Sequence, residues 1–137
     1  MRYLLDTNVL SELRKREGSS AVKAWIAGQE SADLAISVIT ILEIEIGIRR
    51  IALRDEAQAT AIRRWHQTKV LAGFRGRIIG VDLEIVLRVA EFHVPDRAPQ
   101  HDALIAGTAA ARGLTVVTRN VDDFRRTGVP IVNPWDS

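Results

Sequence analysis

The chain has 137 residues, about the size of one compact domain, so residues 1–137 are expected to fold as a single unit and not as a repeat solenoid. With 47% hydrophobic and 26% charged residues and a mean hydropathy of +0.02, the composition is globular, which excludes a disordered, collagen-like or rod-like chain. Cysteine is absent, so thiolate catalysis, disulfides, iron–sulfur clusters and the usual zinc clusters are excluded, and a metal ion would have to bind through oxygen or histidine.

There are 19 basic and 17 acidic residues, a net charge of +2, and all the basic residues except Lys15, Lys23 and Lys69 are arginine. The planar arginine fork can grip phosphate with two hydrogen bonds, a weak pointer to nucleic acid that an arginine-rich proteome would explain equally well. No apolar run reaches the ~18 residues needed to span a bilayer, and the start, Met1-Arg2-Tyr3-Leu4-Leu5-Asp6, lacks a secretory apolar core. A cytoplasmic protein without a membrane partner is expected.

In chain order, Arg2 to Leu5 reads as a short strand ending at Asp6-Thr7-Asn8, followed by a helix through Leu13 and, after Gly18-Ser19-Ser20, a second helix from Ala21 to Ala27. Leu34 to Val38 is the second strand. Thr40 opens a helix toward Ile51, and Asp55 to Ala72 is a long amphipathic helix with Ile62, Trp65, Val70 and Leu71 as core candidates; the two would form a hairpin. Arg77 to Val81 is the third strand, and a helix carrying Ile85, Val86, Val89 and Phe92 follows Asp82. Beyond the loop marked by Pro95 and Pro99, His101 to Arg112 is a helix stopped by Gly113, Leu114 to Thr118 a β-branched strand, Val121 to Arg126 a brief helix and Val129 to Val132 an edge strand. Strands separated by helices imply right-handed crossovers and a parallel sheet covered on both faces, a three-layer α/β/α fold.

In such sheets ligands bind beyond the carboxyl ends of the strands. The residues there are acidic: Asp6 after strand one, Glu43 in the helix after strand two, Asp102 at the start of the helix before strand four, and Asp122 and Asp123 with Asn120 after it. Each has a local explanation. Asp6 suits a helix N-cap, Thr40-Ile41-Leu42-Glu43 has the spacing of a capping box worth about 1 kcal/mol, and Asp102 at a helix start suits the macrodipole. Local caps need not meet in space, whereas all of these acids would converge at one edge of the sheet. Carboxylates gathered there repel one another unless a cation lies between them, and hard Mg2+ or Mn2+ is the natural candidate. The histidines His66, His93 and His101 show no zinc spacing, and neither a nucleophile elbow nor a glycine-rich phosphate loop is present. His101, beside Asp102, remains a candidate substrate contact.

The segments Leu4-Leu5-Asp6-Thr7-Asn8-Val9-Leu10-Ser11-Glu12, Ser37 to Glu43 with Gly47, His101 to Ala106, and Val117 to Phe124 ending in Asn133-Pro134-Trp135 resemble PIN-domain ribonucleases, specifically the VapC-type toxins of bacterial toxin–antitoxin pairs. The resemblance spans nearly the whole chain and implies a central parallel five-stranded sheet. It implies metal-dependent RNA hydrolysis with Asp6, Glu43 and Asp102 as metal-binding acids. For the fourth acid it offers the position of Asn120 or the neighbouring Asp123; we assign Asp123, with Asn120 assisting. It also implies a homodimer and a VapB-type antitoxin whose C-terminal segment lies in a groove near the acids.

Asp6 and Asp102 are expected as direct ligands and Glu43 and Asp123 as direct or water-mediated ones, with Thr7, Asn8 and Thr118 orienting them. With these four acids neutralised, 13 acidic residues face 19 basic ones, so a phosphate backbone would be attracted; Arg14, Lys15, Arg16, Arg49, Arg50 and Arg119 are the expected RNA contacts. Two other readings compete. An Asp-nucleophile phosphohydrolase also starts from an aspartate after strand one, but Asp6-Thr7-Asn8 lacks the second aspartate and no suitable lysine follows. A receiver domain fails for want of a late lysine, whereas a PIN-fold module that binds RNA without cutting it survives because position 120 carries no carboxylate.

Overall fold

The computed structural model describes all of residues 1–137. Its five short strands, β1 (Tyr3–Leu5), β2 (Leu34–Ser37), β3 (Ile78–Ile79), β4 (Thr115–Val117) and β5 (Ile131–Val132), form one sheet in the order β3-β2-β1-β4-β5. Every pairing is parallel. The helices that supply the crossovers are α1 (Thr7–Arg14), α2 (Ser20–Ala27), α3 (Val38–Ala52), α4 (Glu56–Trp65), α5 (Leu83–Phe92), α6 (Gln100–Arg112) and α7 (Val121–Arg125). None of them is long and apolar enough to cross a membrane.

Alternation along the strands creates the three layers. Leu5, Ile36 and Val117 pack with Val9, Val22, Ile44, Ile48, Ala59 and Ile62 beneath α1–α4. Their strand neighbours Leu4, Ala35 and Val116 face the other way, onto Ile105, Ala106 and Ala109 of α6 and Phe124 of α7. Helix α5 joins that second layer through Ile85 and Val89, which pack on Ala103. The close approach of α5 and α6 depends on Gly107, where a Cβ would stand 2.6 Å from Val89 Cγ2. Gly113 closes α6 in the left-handed conformation that glycine adopts without a steric penalty.

The structure revises several local expectations. The third helix begins at Val38, not Thr40, because the buried Ser37 side chain caps it by accepting from Ile39 N–H at 3.0 Å. Thr40 and Glu43 are therefore inside the helix and form no capping box. The long helix expected over Asp55–Ala72 is regular only to Trp65; His66–Leu71 widens into π-helix, which turns Val70 into the core and leaves Leu71 at the surface. On α5, Ile85 and Val89 are core residues, but Val86 is 48% exposed.

Candidate functional site

The strand register builds the site. Because Leu5 pairs with Val117, the next residues, Asp6 and Thr118, leave adjacent strands side by side. Asp6 N–H still donates to the Val117 carbonyl at 2.9 Å, after which the chain turns into α1 with Asp6 as its N-cap. The Asp6 carboxylate is 4% exposed and accepts from Thr7 N–H at 2.8 Å, Thr118 Oγ1 at 2.8 Å and Asn8 Nδ2 at 3.3 Å. Asn8 Nδ2 also donates to Thr118 Oγ1 at 3.3 Å, and Asn120 N–H donates to the same oxygen at 3.0 Å. Asp6 is thus a cap and a site residue at once, and its side chain is fixed on three sides.

Glu43 enters from α3. Its Oε1 accepts from Thr7 Oγ1 at 2.7 Å, and its Oε2 lies 3.7 Å from His101 Nδ1. Thr7 Oγ1 also lies 3.3 Å from the buried Thr40 Oγ1, so Thr40 supports this link. Asp102 comes from the first turn of α6. Asp6, Glu43 and Asp102 line one open cavity of about 370 Å3, together with Thr7, Asn8, Lys15, Arg119 and Asn120. Asp123, in the first turn of α7, lines the adjoining polar cavity and is near enough to repel both Asp6 and Asp102.

The carboxyls record that crowding. Burial raises the pKa of Asp6 above its ordinary value, partly offset by the bonds from Thr118 and Thr7, while Glu43 and Asp123 raise it further. Asp102 is pushed up to about 6, by burial first and then by Asp6, Asp123 and Glu43, with His101 opposing. Glu12, on the cavity wall, is lowered instead because Ser19 N–H and Lys15 bond to it. Mutually repelling carboxylates that present only oxygen donors fit a hard divalent cation. The side chains do not stand as a finished ligand set, since no three acids or histidines group as metal ligands.

The basic residues divide. Lys15 and Arg119 line the acid cavity, and Arg14 lines a smaller hollow beside it with Thr7, Ser11 and Glu43. Arg16 is exposed beyond α1, its carbonyl accepting from Lys23 Nζ at 3.1 Å. Arg49 and Arg50 occupy the last turn of α3, roughly 9 Å along the helix axis from Glu43. The structure also adds wall residues that sequence patterns did not single out: Ser11, Glu12 and Trp135. Their only signal in the sequence was their place within the segments flanking the acids.

The PIN domain family matches residues 3–130. The chain is similar to the VapC ribonuclease Y4jK of Sinorhizobium fredii, 34% identical over 138 aligned positions that span 97% of each chain. Among solved structures it is similar to FitAcB from Neisseria gonorrhoeae, with a TM-score of 0.90 and 28% identity across 98% of this chain and 99% of that one. A toxin–antitoxin complex from Klebsiella pneumoniae matches with a TM-score of 0.70 and 28% identity across 96% and 97% of the two chains. A parallel β3-β2-β1-β4-β5 sheet with acids at its carboxyl edge, and similarity running almost end to end, place this chain in the PIN-domain family alongside the VapC ribonucleases.

Proposed function

We propose that this protein is the toxin of a type II toxin–antitoxin pair, and that residues 1–137 act as one Mg2+- or Mn2+-dependent endoribonuclease domain. The observation that carries this reading is the gathering of Asp6, Glu43 and Asp102, with Asp123 beside them, at the carboxyl edge of the sheet, where burial and then the neighbouring acids raise the proton affinity of Asp6 and Asp102. The similar Y4jK protein is itself named a ribonuclease, and the Klebsiella neighbour is a toxin–antitoxin complex.

Asp6 and Asp102 would hold the ion, with Glu43 and Asp123 as further oxygen donors, direct or through water. When bound, the ion supplies Lewis acidity, which makes hydroxide available near neutral pH and offsets the charge developing on the phosphate. Asp6 is the fixed donor because Thr7, Asn8 and Thr118 hold both of its oxygens. Glu43 is turned by Thr7 so that Oε2 is left to accept the proton of the attacking water, with His101 Nδ1 leading toward solvent. The water oxygen bonds to phosphorus, the bond from phosphorus to the leaving ribose oxygen breaks, and that oxygen takes a proton from solvent. Lys15 and Arg119 meet the flanking strand at the cavity wall, and Arg14, Arg16, Arg49 and Arg50 extend the attraction to more distant phosphates.

The antitoxin would take the apolar cavity of about 380 Å3 that Leu10, Leu13, Trp65 and Phe74 line with Arg14 and Lys69. A homodimer accords with the apolar side chains that α5 leaves in solvent, Leu83 at 73% and Leu87 at 61% exposure. We read the protein as cytoplasmic, where the RNA it would cut and its antitoxin would be met.

The test is cleavage of a mixed RNA pool by purified, antitoxin-free protein with Mg2+, with Mn2+ and with chelator, beside Asp6→Asn, Glu43→Gln, Asp102→Asn and Asp123→Asn. Wild type should cut only with metal, and the first three variants should lose at least about a hundredfold, with Asp123→Asn intermediate. Equal cleavage in every sample would indicate a contaminating nuclease and remove the support. A folded wild type that binds RNA but never cuts it would establish the binding-module reading instead.

A further inference from the structure

Arg119 stands between two polar hollows. One is the acid cavity, and the other is a cavity of about 470 Å3 whose walls include Asn120, Asp122, Asp123, Arg125 and Asn133. The Arg119 backbone is tied to the first, its N–H donating to Asn8 Oδ1 at 3.4 Å. Its guanidinium carbon lies over the Trp135 ring, 5.3 Å from the centroid. Trp135 is the single hydrophobic residue on the wall of the acid cavity, and it also packs on the core beneath α1–α4. Asn133 Oδ1 accepts from Trp135 N–H at 3.0 Å and holds the turn that carries the indole. The guanidinium therefore rests on a supported aromatic base.

Charge decides what the second hollow receives. Its walls carry Arg119 and Arg125 against Asp122, Asp123 and Asp136, and Arg125 is already paired with Asp122 at 3.0 Å. Two cations facing three carboxylates disfavour a phosphate. Carboxylate and amide oxygens instead accept hydrogen bonds from the N–H groups of a base edge, while a guanidinium plane stacks on the face of an unpaired base.

We propose that the hollow beside the acids is a nucleobase subsite, in which one unpaired base next to the cleaved phosphodiester stacks on the Arg119 guanidinium, backed by Trp135, with its edge turned toward Asn120, Asp122 and Asn133. This rests on the nuclease reading for the position of the strand, since a phosphate at Asp6 and Asp102 places the neighbouring nucleotide within reach of Arg119. Arg119 is then a planar platform as well as a positive charge. A base whose edge presents an N–H donor satisfies the carboxylates.

The test is binding of a short fluorescent single-stranded RNA by anisotropy, with Ca2+ in place of Mg2+ so that the acids keep a cation to hold the phosphate while cleavage is slowed, and with gels that confirm the strand stays intact. It compares the intact strand with a set in which each nucleotide in turn is made abasic. For wild type, one abasic position should weaken binding about fivefold to tenfold, as expected for loss of one stacked base. In Arg119→Lys, which keeps the charge but not the plane, and in Trp135→Ala, that difference should shrink toward unity, while Trp135→Phe should retain most of it. Circular dichroism and melting confirm that each variant is folded, and Trp135→Phe with Arg119→Lys carry the comparison if Trp135→Ala is not. A uniform loss of affinity for intact and abasic strands in Arg119→Lys, or a wild type indifferent to every abasic position, would overturn the subsite. Failure of wild type to cleave with Mg2+ would instead count against the nuclease reading and leave the binding comparison readable.

Discussion

Replacing Asp102 by asparagine removes a charge that the surroundings of this site oppose. In the folded chain its carboxyl is raised from 3.8 to about 6, through burial and the neighbouring Asp6, Asp123 and Glu43. On a fully buried group that difference would correspond to about 3 kcal/mol; Asp102 is partly open to water, and screening reduces it to about 1 kcal/mol. The folded chain holds a proton at this carboxyl more tightly than the unfolded chain does. Without metal, its stabilising effect is therefore present below pH 3.8 and is lost as pH rises through about 6. In chelator near pH 8, Asp102→Asn should melt about 3 °C above wild type, and the gap should close as pH falls toward 4. Magnesium acts in the opposite direction: it needs the ionised carboxylates, so it should raise the wild-type Tm at high pH, lose that effect through about pH 6, and do little for the variant. Thermal melts of the two proteins, with and without Mg2+, check all three statements. A variant that melts below wild type at high pH in chelator, or a gap indifferent to pH, would show that burial and the neighbouring acids do not oppose the Asp102 charge.

Thr7→Val keeps the shape of the residue but removes the 2.7 Å bond that turns Glu43, so metal-supported cleavage should fall about tenfold and the Mg2+ requirement should rise, with little change in Tm. Kinetics that match wild type at every Mg2+ concentration would show that Glu43 needs no such orientation. Gly107→Ala would drive its Cβ to 2.6 Å from Val89 Cγ2 and 3.2 Å from the Ile85 carbonyl, costing about 1 to 3 kcal/mol and lowering Tm by at least about 3 °C without direct contact with the site. His66 is buried with neither ring nitrogen hydrogen-bonded, and burial holds its pKa below 6.5 despite Glu45, whose Oε1 is 3.4 Å from Nε2. The unfolded chain therefore takes a proton that the folded imidazole resists, so stability should fall as pH drops below 6.5, and His66→Leu should flatten that fall in chelated melts.

Much of the fold is written locally. Asp82, Ser19 and Asp55 cap the helices they precede, Gly113 stops α6, and a short β-branched run marks β4, because these signals act within a few residues and follow from residue type. The order of strands and helices, and the placing of Asp6 and Asp102 at the sheet edge, follow from the same short-range rules with the handedness of crossovers. Where a local rule had two users for one side chain, it chose wrongly: Glu43 suits a capping box with Thr40, yet Ser37 caps the helix, which starts at Val38, and Glu43 reaches across to Thr7. The π-helical turn at His66 had no periodicity to announce it.

The sequence by itself determined which residue types stand beyond the strand ends, acids with oxygen donors and no cysteine, and so which chemistry was worth testing there. Tertiary structure alone decided which groups support them. Thr118 meets Asp6 because β1 and β4 pair in the register Leu5 to Val117, and Trp135 meets Arg119 because the C-terminal turn folds back over the acid cavity. Arg49 and Arg50, which the sequence already sets on the same helix as Glu43, stand roughly 9 Å along its axis from that acid. Local patterns specify backbone geometry within a turn or a strand; contacts between residues a hundred positions apart depend on register and packing, which no short segment encodes.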